Sequence, residues 1–219
     1  MAIDQTVTWA VVLPVKRLSA AKSRLRGAVP DEWHPELALA MLRDTVTAAL
    51  ACPLVADVLV VTDDPAVGAA MSGLGARVVP DRPDAGLNAA LRFGADQVAG
   101  ITRHRAVLAG DLPALRPAEL GEALRASTGR RSYVADAAGS GTVLLAAAPG
   151  VPLDPHFGVG SAAAHAAGSA RSLTGDWPGL RHDVDTPDDL RTVLGLGAGA
   201  ATCALLRTIG LGAGCGTAA

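Results

Sequence analysis

The 219-residue sequence is poor in aromatic rings, has three cysteines and carries no excess of positive charge, and each shortage removes a class of function. The aromatics are limited to Trp9, Trp33, Trp177, Tyr133, Phe93 and Phe157, whereas platforms that stack single-stranded bases need such rings close together. Lys and Arg number 19 against 21 Asp and Glu, and nucleic-acid-binding domains carry a basic excess. No nucleic-acid partner is expected. Cys52, Cys203 and Cys215 are odd in number, far apart and outside any CxxC spacing, so neither a disulfide framework nor a zinc site is expected, and a reducing cytoplasm is the matching compartment. The chain has no apolar run near the ~20 residues of a membrane span and no signal-like apolar region behind positive charge. No GxxxxGK[ST], GxSxG or HExxH occurs, which leaves out a Walker A loop, a serine elbow and a two-histidine zinc helix. Two GxGxxA matches, at Gly195 and Gly158, do not follow strands and lack the context of a dinucleotide fingerprint. His34, His104, His156, His165 and His182 fall at no ligand spacing and suit surface or supporting positions.

What is present is an alternation of apolar runs and helical periods. Trp9–Val15 and Val58–Asp64 read as buried strands, Arg77–Pro80 as a shorter one, and Ala106–Leu108 as a fourth that ends in Gly110-Asp111-Leu112-Pro113. Helices are expected from Pro35 to Leu50, Pro65 to about Leu74, Leu87 to about Gly100 and Pro117 to about Ser127, from apolar spacing and from proline at first-turn positions. Ser132–Asp136 and Thr142–Ala146 read as two strands joined across Gly139-Ser140-Gly141, and Ser161–Gly168 as a small-residue helix. Arg181–Asp185 reads as a last short strand, followed by a helix start with Thr186 as cap, Pro187 at the first position and acids in the first turn. Ala200–Ile209 reads as a peripheral helix and the tail from Gly210 as frayed. The expected fold is α/β: one domain over 1–219 with a core at about 8–196 and a Gly/Ala-rich tail from about 197, built on a mostly parallel twisted sheet flanked by helices, with an antiparallel addition.

Three constellations carry chemistry. The loop after the first strand holds Lys16, Arg17, Lys22 and Arg24; Lys16, Lys22 and Arg24 suit the charge of a triphosphate, while a solvated basic loop would have the same composition. Asp111 stands where a strand reaches the sheet edge at which open α/β folds bind ligands. With Asp183 and Asp185 it makes a set of carboxylates that suits Mg²⁺, which takes few protein carboxylates and keeps phosphate oxygens and water; a turn aspartate and a helix-start acid would also account for them. Asp188 and Asp189 are assigned to the helix start. Thr142, Gly158, Gly160 and Ser161 are small groups where backbone N–H can approach an anion.

Val15–Leu25, Gly110–Leu115 and Asp183–Leu190, in this order, together with Thr174-Gly175-Asp176-Trp177-Pro178-Gly179-Leu180-Arg181, resemble the guanylyltransferases that make the deazaflavin coenzyme F-420. The resemblance covers about residues 9–196 and implies a nucleotide-diphospho-sugar-transferase-like fold that binds GTP and two Mg²⁺ ions. It implies metal ligation by Asp111 and Asp183 with Asp185 close behind, catalytic and GTP contacts from Lys16, Lys22 and Arg24, a nucleotide contact from Asn88, and phosphoenolpyruvate contacts from Thr142, Gly158 and Ser161. Small-molecule partners follow, GTP and phosphoenolpyruvate, with the next enzyme of the pathway as a further partner; the oligomeric state is open. The Ala/Gly/Arg-rich composition is that of a GC-rich genome, where the resemblance favours phosphoenolpyruvate over 2-phospho-L-lactate or 3-phosphoglycerate. The same residues also admit a nucleotidyltransferase that uses CTP, or a nucleotide-binding protein without catalysis.

Overall fold

The computed structural model describes residues 7–18, 25, 27–82, 84–98 and 104–216. Among them the elements run β1 (Trp9–Pro14), α1 (His34–Leu50), β2 (Val55–Val61), α2 (Pro65–Gly73), β3 (Arg77–Val79), α3 (Leu87–Gln97), β4 (His104–Leu108), α4 (Pro117–Ala126), β5 (Ser132–Ala135), β6 (Thr142–Ala147), α5 (Ser161–Ala167), β7 (Arg171–Ser172), α6 (Pro178–Arg181), α7 (Pro187–Leu196) and α8 (Ala200–Thr208). The strands form one sheet in the order β3-β2-β1-β4-β6-β5-β7. β1 pairs in parallel with both β2 and β4, while β6 is antiparallel to β4 and to β5. The parallel half and the antiparallel addition therefore both match the sequence expectation.

The continuous apolar composition of β1 follows from cover on both faces. Trp9, Val11 and Leu13 join Leu42 and Val46 of α1, Met71 of α2 and Leu120 of α4 in one core. The intervening Ala10 and Val12 pack with Ala90, Leu91 and Ala95 of α3 in a second. Each fully buried Val or Leu contributes about 1.5–3 kcal/mol of transfer free energy, and a one-residue slip would exchange the two sets. Gly94 sets the depth of α3: a Cβ there would stand 2.7 Å from methyls of both Val12 and Val61.

Successive strands lead outward from β1 to β2 and β3, and the chain then returns to place β4 on the other flank of β1. Ligand crevices of open α/β sheets form at such a reversal, outside the carboxyl ends of the strands. Here those ends are Pro14 of β1 and Leu108 of β4.

Several expectations are corrected. β2 stops at Val61, three residues early, because Asp64 turns away to cap α2, accepting from the N–H groups of Ala66 and Val67. Arg181–Asp185 is not a strand. Pro178 starts the short helix α6, and Glu119 of α4 caps it through the N–H groups of Gly179 and Leu180. Residues 182–185 then carry no regular secondary structure, and Val184 N–H bonds the carbonyl of Asp111 at 3.2 Å without a ladder. The strand in this part of the chain is β7, at Arg171–Ser172. The expectation of no disulfide is overturned as well: Cys203 and Cys215 are bonded, 12 residues apart, because the chain reverses beyond α8 and brings the tail back alongside it. The tail is accordingly tied down to residue 216, with Leu211 N–H on Leu206 O and Arg207 on Gly216 O. No helix among the described residues is long and apolar enough to cross a membrane.

Candidate active site

The Gly110-Asp111-Leu112 turn is held from below by α1. Thr45 is fully buried, and its hydroxyl accepts from Leu112 N–H at 3.0 Å and lies 2.9 Å from Met41 O and 3.3 Å from Gly110 O. The turn is therefore fixed by a side chain 65 residues earlier in the chain, and Asp111 projects from a rigid base.

Asp183 reaches the same place by another route. α6 packs through buried Trp177 and Leu180, Trp177 donating its indole N–H to Glu122 at 3.0 Å. Arg181 donates to the carbonyls of Ala135 and Asp136 at the β5–β6 turn. Val184 N–H on Asp111 O then stitches the Asp183–Asp185 segment to the Asp111 turn. The motif Thr174–Arg181 thus acts by positioning. Burial, and after it the neighbouring charge of Asp111, push the Asp183 carboxyl up to about 7, with further contributions from Asp185 and Asp136. Like charges brought together away from water raise a carboxyl in this way. Asp185 lines, with Lys16, Arg17, Gly110 and Asp111, a cleft of about 380 Å³. Among the described residues no set of three His, Cys, Asp or Glu side chains is arranged to hold a metal ion. Asp189 serves the helix start, as expected, in a capping box with Thr186.

Lys16 and Arg17 are exposed at the mouth of this cleft and border a second one of about 510 Å³, lined also by Asp63, Asp81, Asp84 and Gly86. The start of their loop is anchored where Leu18 N–H donates to Asp64 at 3.0 Å, and that bond, first among its contacts, lowers the Asp64 carboxyl. Lys22 and Arg24 lie outside the described residues.

Thr142, Gly158 and Ser161 form a second group around α5. Ser161 N–H bonds Gly158 O, and Ala162 N–H bonds Ser140 O at the β5–β6 turn. Gly158 and Gly160 have φ of +136° and +71°, left-handed conformations that favour glycine. Asn88 reaches this group from α3. Its amide nitrogen donates to Phe157 O at 3.0 Å and its oxygen accepts Phe157 N–H at 2.8 Å, so the side chain latches the 155–160 loop to α3. Thr45 and His165 carry no signal in the sequence, because Leu112, which Thr45 holds, and Thr142, which His165 holds, are distant in the chain and no local spacing marks the pairs.

The family model described as "Guanylyl transferase CofC like" matches residues 9–216. A phosphoenolpyruvate guanylyltransferase of Salinispora arenicola is 59% identical, covering 98% of this chain and 96% of the relative. Another of the same name, from Geodermatophilus obscurus, is 56% identical over 90% of this chain and 94% of its own length. Among solved structures, a Desulfovibrio desulfuricans protein assigned to the nucleotide-diphospho-sugar transferases superposes with a TM-score of 0.67 at 16% identity, covering 92% of this chain and 95% of that one. A nucleotidyl transferase of Methanothermobacter gives 0.57 at 20% identity, over 92% and 99%. These two agree on the fold. The match spans all four motifs quoted from the sequence, and the chain belongs to the CofC-like guanylyl transferase family.

Proposed function

We propose that this chain transfers the guanylyl group of GTP to the phosphate of phosphoenolpyruvate, releasing pyrophosphate, as a step towards coenzyme F-420. The observation that carries this is the convergence of Asp111 and Asp183 at the strand edge beside Lys16, with the Asp183 carboxyl raised by burial and by Asp111. Crowded carboxylate oxygens at a nucleotide cleft fit a hard divalent cation, which takes its other oxygens from phosphates and water. Asp111 and Asp183 would hold Mg²⁺, as one ion or two, as a pair of carboxylates, with Asp185 in the cleft lining near them. When bound, it supplies positive charge to the α-phosphate.

A phosphate oxygen of the acceptor attacks the α-phosphorus of GTP, forming one P–O bond as the bond to the β-phosphate bridging oxygen breaks. That oxygen is already ionised, so the chain needs no general base. The residues act by alignment and charge. Lys16, with Lys22 and Arg24 of the same loop, neutralises the triphosphate. The cleft lined by Asp63 and Asp81 takes the nucleoside, and its volume falls in the range of small-molecule pockets. Thr142, Gly158 and Ser161 hold the acceptor. Phosphoenolpyruvate is preferred among phosphorylated acids because it is in the names of relatives matched over nearly the full chain. The test is pyrophosphate release with GTP and Mg²⁺ when phosphoenolpyruvate, 2-phospho-L-lactate and 3-phosphoglycerate are offered separately. Release is expected with phosphoenolpyruvate, with loss in Asp111→Asn of at least ~10³-fold in kcat at unchanged folding, the scale of removing charge stabilisation from a reacting centre. No release with phosphoenolpyruvate refutes the acceptor, and an active Asp111→Asn variant refutes the metal site.

A further inference from the structure

His165 is the most completely bonded histidine in the described structure, and none of the steps above uses it. It lies on α5 with 1% of its surface exposed. Its Nε2 takes the backbone N–H of His156 at 2.9 Å, and its Nδ1 faces the Thr142 hydroxyl at 2.9 Å. Phe157 packs edge-on to the ring, with centroids 5.1 Å apart, and Tyr133 lies at 6.0 Å.

The backbone donor fixes the tautomer. An amide N–H can only donate, so Nε2 must accept and the ring proton must sit on Nδ1. Nδ1–H then donates to Thr142 Oγ1. The threonine oxygen is thereby used as an acceptor, and its own hydrogen is left to donate elsewhere. Burial, followed by the charges of His156 and Arg131, lowers the ring to about 4, which keeps it neutral near pH 7 and preserves this arrangement.

The direction of that hydrogen matters because a phosphorylated carboxylic acid, ionised near pH 7, offers only acceptor oxygens. A freely rotating hydroxyl must give up its other orientations to donate to such a ligand, whereas one already used as an acceptor by a fixed N–H is pre-set to donate. We propose that His165 is a positioning residue for the acceptor substrate, fixing the Thr142 hydroxyl as a donor and, through His156, holding the loop that carries Gly158. The proposal rests on the acceptor site inferred above. The loop has a second restraint in the Asn88–Phe157 latch and a third where Arg131 donates to Pro152 O and pairs with Asp154. His165 is the restraint that also reaches the β6 hydroxyl.

The two ring nitrogens can be tested apart. His165→Asn keeps a donor near the Nδ1 position, and His165→Gln keeps an acceptor near Nε2. Steady-state KM for phosphoenolpyruvate and for GTP, kcat and the melting temperature are measured for Thr142→Val, His165→Phe, His165→Asn, His165→Gln and the Thr142→Val/His165→Phe double variant. Loss of one hydrogen bond to a charged ligand predicts a rise in the phosphoenolpyruvate KM of roughly 10–100-fold in Thr142→Val and His165→Phe. The GTP KM is expected to stay within about twofold, because the change is confined to one substrate's binding. His165→Asn should recover most of the loss and His165→Gln little of it. The double variant should be no worse than the poorer single one, since two residues acting through one bond are not additive.

If Thr142→Val leaves the phosphoenolpyruvate KM unchanged, the acceptor site itself is misplaced. If Thr142→Val raises it but His165→Phe and His165→Gln do not, the acceptor site stands and the role of His165 is refuted. A parallel rise in both KM values with a fall in melting temperature, or additive effects in the double variant, also refutes it, since either marks a structural histidine.

Discussion

Replacing Thr45 by Val tests whether the base of the Asp111 turn matters to chemistry. The two side chains have nearly the same shape, so the substitution removes a hydroxyl and leaves no cavity. In the wild type that hydroxyl receives Leu112 N–H at 3.0 Å, with both residues fully buried. Valine leaves this N–H without a partner and without water. An unsatisfied buried donor costs about 1–3 kcal/mol. The lost bond to Met41 O costs less, because that carbonyl also belongs to the helical ladder of α1. With an unfolding entropy of ~2.1 cal/mol/K per residue over 219 residues, the melting temperature should fall by about 2–6 °C. The second effect is on geometry. The freed N–H and Gly110 O would draw the turn outward, and a displacement of about 1 Å at a reacting centre can cost ~10²-fold. A drop in kcat of roughly 10–100-fold is expected while the GTP KM changes little. Thr45→Ser restores the hydroxyl and should recover activity, with only the lost methyl to offset. Thermal melting and initial rates of pyrophosphate release measure both effects. A valine variant with wild-type melting and wild-type kcat would refute the account, and so would a serine variant as slow as the valine one.

Two further outcomes follow from groups near to and far from the cleft. In Asp183→Asn the folded-state carboxyl raised from 3.8 to about 7 is gone. The native wild type keeps a proton that the unfolded chain releases over that range, so its stability falls as pH rises from about 4 to 7. In metal-free buffer the Asn variant should therefore be more stable than wild type at pH 8, by about 1–3 kcal/mol after allowing for partial exposure, and show little difference at pH 4, as read by thermal melting. Added Mg²⁺ should stabilise wild type alone, and a variant less stable than wild type at pH 8 would count against repulsion in the site. Reduction of Cys203–Cys215, or Cys215→Ser, should speed amide exchange of residues 209–216, since the bond closes a loop worth up to ~3 kcal/mol in chain entropy. Guanylyl transfer should be unchanged, and a loss of activity would mean that the tail supports the cleft.

The sequence by itself determined the layered α/β plan. β1, β2 and β4 are apolar on both faces, and a strand with that composition can only be buried between two layers of helix. It also determined the Asp111 end of the cleft, because Gly-Asp-Leu-Pro closes a strand abruptly and breaks the chain out of the sheet. The Thr186–Pro187–Asp189 start of α7 was legible for a similar reason: a capping box is satisfied within four residues. The meeting of Asp183 with Asp111 was expected from the sequence as well, but its route was not. Asp183 does not end a strand; it is delivered by α6, by Arg181 on the β5–β6 turn and by Val184 on Asp111 O, bonds whose partners lie tens of residues away. The resemblance implied a nucleotide contact from Asn88, and the fold adds that its amide is clasped to Phe157. The same holds for Cys215, which meets Cys203 after a reversal that no cysteine spacing encodes, and for His165, whose two hydrogen bonds join separate parts of the chain. Composition and periodicity report which faces are buried. Which polar groups meet inside that burial is decided by long-range closure, because each buried donor must find an acceptor wherever the packed layers bring one.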